Sequence, residues 1–61
     1  MKVGDLVRLS AYGKKLHMNK RIADADPVGI IIKKMHMYHV TWLGMTTRYY
    51  YNRKDLKHAS R

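Results

Sequence analysis

The side chains best able to act on a partner are basic and aromatic. Lys14, Lys15, Lys20 and Arg21 crowd the first half of the chain, and Arg48, Arg53 and Lys54 crowd the second. Tyr12, Tyr50 and Tyr51 accompany them. Cations at this density neutralise phosphates, and exposed tyrosine rings stack on bases or pack against a partner. The whole composition leans the same way: 13 Lys and Arg face 4 acids, a net charge of +9. Such an excess creates a positive field that attracts nucleic acid, an anionic membrane or an acidic protein face. The competing reading is a uniformly solvated basic shell that serves solubility alone.

Catalysis fails on inventory. There is no Glu, and the acids are Asp5, Asp24, Asp26 and Asp55. Asp5 and Asp55 fall in turn-like segments, where Asp serves local backbone bonding. Asp24 and Asp26 precede Pro27 with no partner set around them. No phosphate-cradling glycine loop and no Ser-His-Asp order can be read. No catalytic residue and no cofactor is expected, and the chain reads as no enzyme.

A metal site is not expected either. Cysteine is absent, which removes thiolate ligands and disulfides alike. His36 and His39 lie three apart on an expected strand, which sends them to opposite faces. His17 falls in a loop and His58 in the tail, so all four histidines read as surface residues.

These side chains need a scaffold, and 61 residues allow one domain, 1–61, with one small core. Leu6–Leu9 reads as a first strand after the Gly4-Asp5 turn. Gly29–Lys34 is β-branched and apolar on consecutive positions, as in a strand covered on both faces. Met37–Leu43 alternates, with Tyr38, Val40 and Trp42 on one side and His39, Thr41 and Leu43 on the other. Gly44-Met45 turns the chain into a strand over Thr46–Tyr51. There, alternation separates Tyr49 and Tyr51 from Tyr50. Asn52–Leu56 reads as a 3₁₀ turn that drops Leu56 into the core, followed by a fraying tail, Lys57–Arg61. Between the first two strands, Ser10–Asp26 reads as a long loop anchored by Ile22, with a short helix over Leu16–Ala25 as the alternative. Val7, Leu9, Ile31, Val40, Trp42 and Leu56 are expected to share the core.

Four or five short strands, one long first loop and a late 3₁₀ turn describe an all-β, small SH3-like barrel. Val3-Gly4-Asp5-Leu6-Val7, Gly29-Ile30-Ile31, Tyr38-His39-Val40-Thr41-Trp42 and Asp55-Leu56 carry a resemblance over nearly the whole chain. The sequence resembles the short SH3-like barrel proteins of tailed marine bacteriophages, a largely uncharacterised group. The basic first loop and Tyr49-Tyr50-Tyr51 depart from that pattern. In such a barrel the first loop lies near the 3₁₀ turn and flanks the ligand groove. The resemblance thus implies that both basic groups converge with Tyr12 and Tyr50 or Tyr51.

Nucleic acid, DNA or RNA, is the favoured partner. An acidic host or phage protein is the second reading and a minor virion component the third. Proline-rich peptides are disfavoured because their grooves use acidic first loops. Met1-Lys2-Val3-Gly4-Asp5 does not read as a signal or transit peptide. The longest apolar run, Val28–Ile32, is too short to span a bilayer. A cytoplasmic monomer without membrane contact is expected.

Overall fold

The computed structural model describes residues 1–59. Strand β1 (Leu6–Leu9) follows a tight turn in which Gly4 adopts a positive φ and the Lys2 amide donates to the Asp5 carboxylate at 3.0 Å. Strands β2 (Gly29–Lys34), β3 (Tyr38–Trp42) and β4 (Arg48–Tyr51) run on as an antiparallel meander. After a 3₁₀ turn at Arg53–Asp55, strand β5 (Leu56–His58) returns to pair with β1. The sheet order is β4-β3-β2-β1-β5. Its edges, β4 and β5, share no ladder, so the sheet is open where a closed barrel was expected.

The expected core is present in full. Val7, Leu9, Ile31, Val40, Trp42 and Leu56 are each at most 2 % exposed, and Ile22, Tyr38 and Tyr51 join them. Alternation along β3 explains this directly, since Tyr38, Val40 and Trp42 all face inward. Strand β2 corrects the sequence reading. Gly29 and Ile31 are buried while Ile30 and Ile32 are exposed, so only one face of β2 is covered. Gly29 is required by close approach. A Cβ there would lie 2.6 Å from Trp42 Cε3 and 2.7 Å from Val40 Cγ1.

The long first loop is the main correction. Ser10–Asp26 folds into α1 (Ala11–Lys15), a 3₁₀ turn at His17–Asn19 and α2 (Lys20–Ala25). The alternative helix over Leu16–Ala25 therefore captures the second half of the segment. Ile22 drops from α2 into the core as expected. Asp26 ends α2 in the left-handed conformation, and Pro27 prevents continuation. The tail is corrected as well: Lys57 and His58 pair with Arg8 and Val7, and the expected fraying of Ser60 and Arg61 lies outside the described residues. No helix among the described residues is long and apolar enough to cross a membrane.

Candidate nucleic-acid interface

A backbone joint between α1 and the 3₁₀ turn positions the first group of candidate residues. Ser10 builds it with its hydroxyl and its amide. Its hydroxyl accepts from the Gly13 amide at 3.0 Å, which caps α1, and donates to the Lys54 carbonyl at 2.7 Å. Its amide donates to the Asp55 carbonyl at 2.8 Å. Gly13 then presses against that same carbonyl, so closely that a Cβ would collide with it. The buried Asn19 side chain donates to the Gly13 carbonyl at 2.9 Å and ties the middle of the segment to α1.

On the far side, Asn52 and Asp55 form a capping box around the 3₁₀ turn. Two elements more than 40 residues apart in sequence are thereby joined, by the Ser10 hydroxyl to the Lys54 carbonyl and by the Ser10 amide to the Asp55 carbonyl.

The joint brings Tyr12 and Lys54 together. The Lys54 ammonium sits 4.9 Å from the centroid of the half-exposed Tyr12 ring. Contacts of this kind contribute about 0.5–1 kcal/mol at exposed sites. Lys14 and Lys15 occupy the last turn of α1. Lys14 is partly engaged, with its ammonium 3.3 Å from Asp26 Oδ1, and Arg8 approaches Asp26 Oδ2 at 3.5 Å. Lys15, Lys20 and Arg21 are exposed. Arg21 also lines a cleft of about 340 Å³ with Ile22, Met45 and Tyr49, which extends the basic surface toward the β3–β4 turn. Arg53 is exposed yet held in place, because its guanidinium donates to the Leu56 carbonyl at 3.1 Å.

The tyrosines separate as alternation requires. Tyr50 is 55 % exposed and meets His39 edge-on at 4.5 Å between ring centroids. Arg48 lies two residues before it on the same strand face, so Arg48 and Tyr50 form a second place apart from the α1 joint. Tyr51 belongs to the core and not to a binding surface. It is 3 % exposed, its ring packs edge-on against Trp42, and Trp42 Nε1 donates to its hydroxyl at 3.0 Å. Burial pushes the Tyr51 hydroxyl above its usual range against the smaller opposing effect of that bond, and the negative charges of Tyr49 and Asp55 add to the rise.

Two features escaped the sequence reading. The first is an apolar groove of about 680 Å³ on the outer face, lined by Leu6, Ile30, Leu43 and Met45 among others. Its signal lay in the consecutive apolar residues of β2, of which Ile31 enters the core while Ile30 lines this groove. The second concerns His36 and His39. His36 sits in the β2–β3 tip and not on a strand, and it lines one cleft together with His39. Their expected separation on opposite faces is thus corrected. No three His, Cys, Asp or Glu side chains cluster among the described residues.

With this geometry in hand, comparison with known proteins adds no relative: no family model matches the chain, and no curated protein or solved structure matches it significantly.

Proposed function

We propose that this protein is a small basic, non-catalytic module that binds nucleic acid through the surface built on α1, α2 and the 3₁₀ turn. The observation that carries this reading is the Tyr12–Lys54 pair on the joint, with Lys15, Lys20, Arg21 and Arg53 exposed on α1, α2 and the 3₁₀ turn. Cations fixed on short rigid elements neutralise phosphates with little ordering cost, and Tyr12 offers a base a stacking face. Lys14 contributes less, because Asp26 already neutralises part of its charge. Three of the four acids, Asp5, Asp26 and Asp55, are engaged in turn, ion pair and cap, which supports the non-catalytic reading. The strand order and the 3₁₀ turn before β5 support an SH3-like type of sheet. The open β4–β5 gap is the departure from that type.

Fluorescence anisotropy with labelled duplex and single strands across a salt series tests the reading. Four to five phosphate contacts give a duplex log–log slope of about −4. Reversing Lys20 and Arg21 to Glu flattens it by about one to two units without changing the thermal transition. Tyr12→Ala weakens single-strand binding by about 1–3 kcal/mol. Absence of affinity for DNA and RNA at about 50 mM salt defeats the proposal.

The outer apolar groove favours one second reading, docking on an acidic protein whose apolar side chains enter between Leu6, Ile30 and Leu43. A nuclease-resistant acidic partner, retained while nucleic acid is not, selects that reading.

A further inference from the structure

The tip joining β2 to β3 carries Met35-His36-Met37-Tyr38-His39. On a flat strand the two histidines point apart. The tip is not flat. Register between β2 and β3 slips between Ile31 and Lys33, and the Met35 amide donates to the Met37 carbonyl at 3.1 Å, which folds the chain back sharply. As a result Met35, His36, Met37 and His39 line one cleft of about 280 Å³, with Tyr50 as its remaining wall. Two methionines and two histidines therefore share one concavity. The edge-on Tyr50 ring, 4.5 Å away, supports the His39 imidazole from the β4 side.

We infer that this cleft binds a soft monovalent metal ion, copper(I) by chemical class, through the Met35 and Met37 thioethers and the His36 and His39 imidazoles. Donor type decides the class. Thioether sulfur selects copper(I), and imidazole is a good companion ligand. Hard cations need several oxygen ligands, and no carboxylate lines the cleft. Zinc sites are built from imidazole, thiolate and carboxylate, so zinc gains nothing from the two methionines. Charge points the same way. The chain carries +9, and repulsion grows with the charge of the ion, which favours a monovalent over a divalent guest. The fold does not need these side chains inside: Met35 is 59 % and Met37 36 % exposed. His17 and Met18 supply a built-in comparison, because Met18 is 84 % exposed and next to a histidine but sits on a 3₁₀ turn and not at the β2–β3 tip.

The test uses the full chain with isotope-labelled methionine methyls, titrated with silver(I) in chloride-free buffer as a redox-inert probe and then with copper(I) under ascorbate. The expected result is saturation at one ion per chain. The Met35 and Met37 methyl signals and the His36 and His39 ring signals move together, while Met18 and His17 stay put. Replacing both methionines (Met35→Leu with Met37→Leu) leaves the thermal transition in place and weakens silver by more than about tenfold, a loss that even supporting residues of metal sites produce. His36→Gln weakens it in the same way. Movement of Met18 in step with Met35 overturns the inference, because generic thioether binding explains it. So does zinc binding as tight as silver that survives the double leucine change, which would mark an imidazole-only site.

Discussion

The two faces of the sheet are made from the same strands and meet opposite surroundings. The inner face is covered by the 10–26 segment, whose Ile22 lies in the same core cluster as Val7, Ile31, Val40 and Trp42. The outer face is the more exposed one. Leu6, Ile30 and Tyr50 stand on it, and Leu6 and Tyr50 are at least half exposed. Strand β4 shows the contrast at single-residue resolution, because adjacent tyrosines 50 and 51 differ from 55 % to 3 % exposed. Period-two alternation turns one repeated residue type into one folding group and one contact group. Chemistry available to a partner therefore sits on the cover, at the tip and on the outer face, while the inner face is committed to holding them in place.

The strongest way to break this division is to empty the inner face. Trp42 is fully buried beneath Gly29 and bonded to Tyr51. Trp42→Ala is expected to cost about 3–5 kcal/mol, which unfolds most domains of this size. An unchanged thermal transition would show that the inner face is not the core. A smaller effect comes from loosening the cover. Gly13→Ala places a methyl against the Asp55 carbonyl and must push α1 off the 3₁₀ turn, at a cost of about 1–3 kcal/mol. Hydrogen exchange should rise first at the Ser10 amide, which bonds Asp55, and less in β3. Uniform exchange across both would mean that cover and sheet open as one unit.

Much of this arrangement was legible in the residues. Strands β1 and β2 carry their boundaries in plain view, since Gly4-Asp5 and Asp26-Pro27 punctuate them. The core followed from alternation in Tyr38–Trp42. What stayed hidden was held by backbone and not by apolar periodicity. Helices α1 and α2 are each under seven residues, and Ile22 is their only fully buried apolar side chain, so no helical stripe announces them. Strand β5 hides for the same reason. Beyond Leu56 it is Lys57 and His58, held by the ladder to β1. Within the candidate site, the meeting of the first segment with the 3₁₀ turn was expected, and Tyr12, Lys54, Lys14 and Lys15 are found there. The place of Tyr50 beside His39 depends on cross-strand register, which composition does not encode.

The smallest expected effect is a pH dependence carried by Tyr51, on the inner face of β4. Burial holds the Tyr51 hydroxyl protonated above its ordinary range, while the unfolded chain releases that proton at about pH 10. The sign follows from which state keeps the proton. Below about pH 10 the hydroxyl is neutral in both states and its contribution to stability is fully present. As pH rises from there through the higher folded value, the unfolded chain ionises first and the contribution is lost. Tyr51→Phe should remove this part of the alkaline decline, read as denaturant midpoints between about pH 9 and 11. At neutral pH the same change costs about 0.5–1.5 kcal/mol, because the Trp42 ring N–H loses its acceptor. Tyr50→Phe is the matched control on the outer face. It leaves the neutral midpoint in place, since the residue is 55 % exposed. Parallel alkaline slopes for wild type and Tyr51→Phe would place the Tyr51 hydroxyl in contact with water and remove the sharpest difference between the faces.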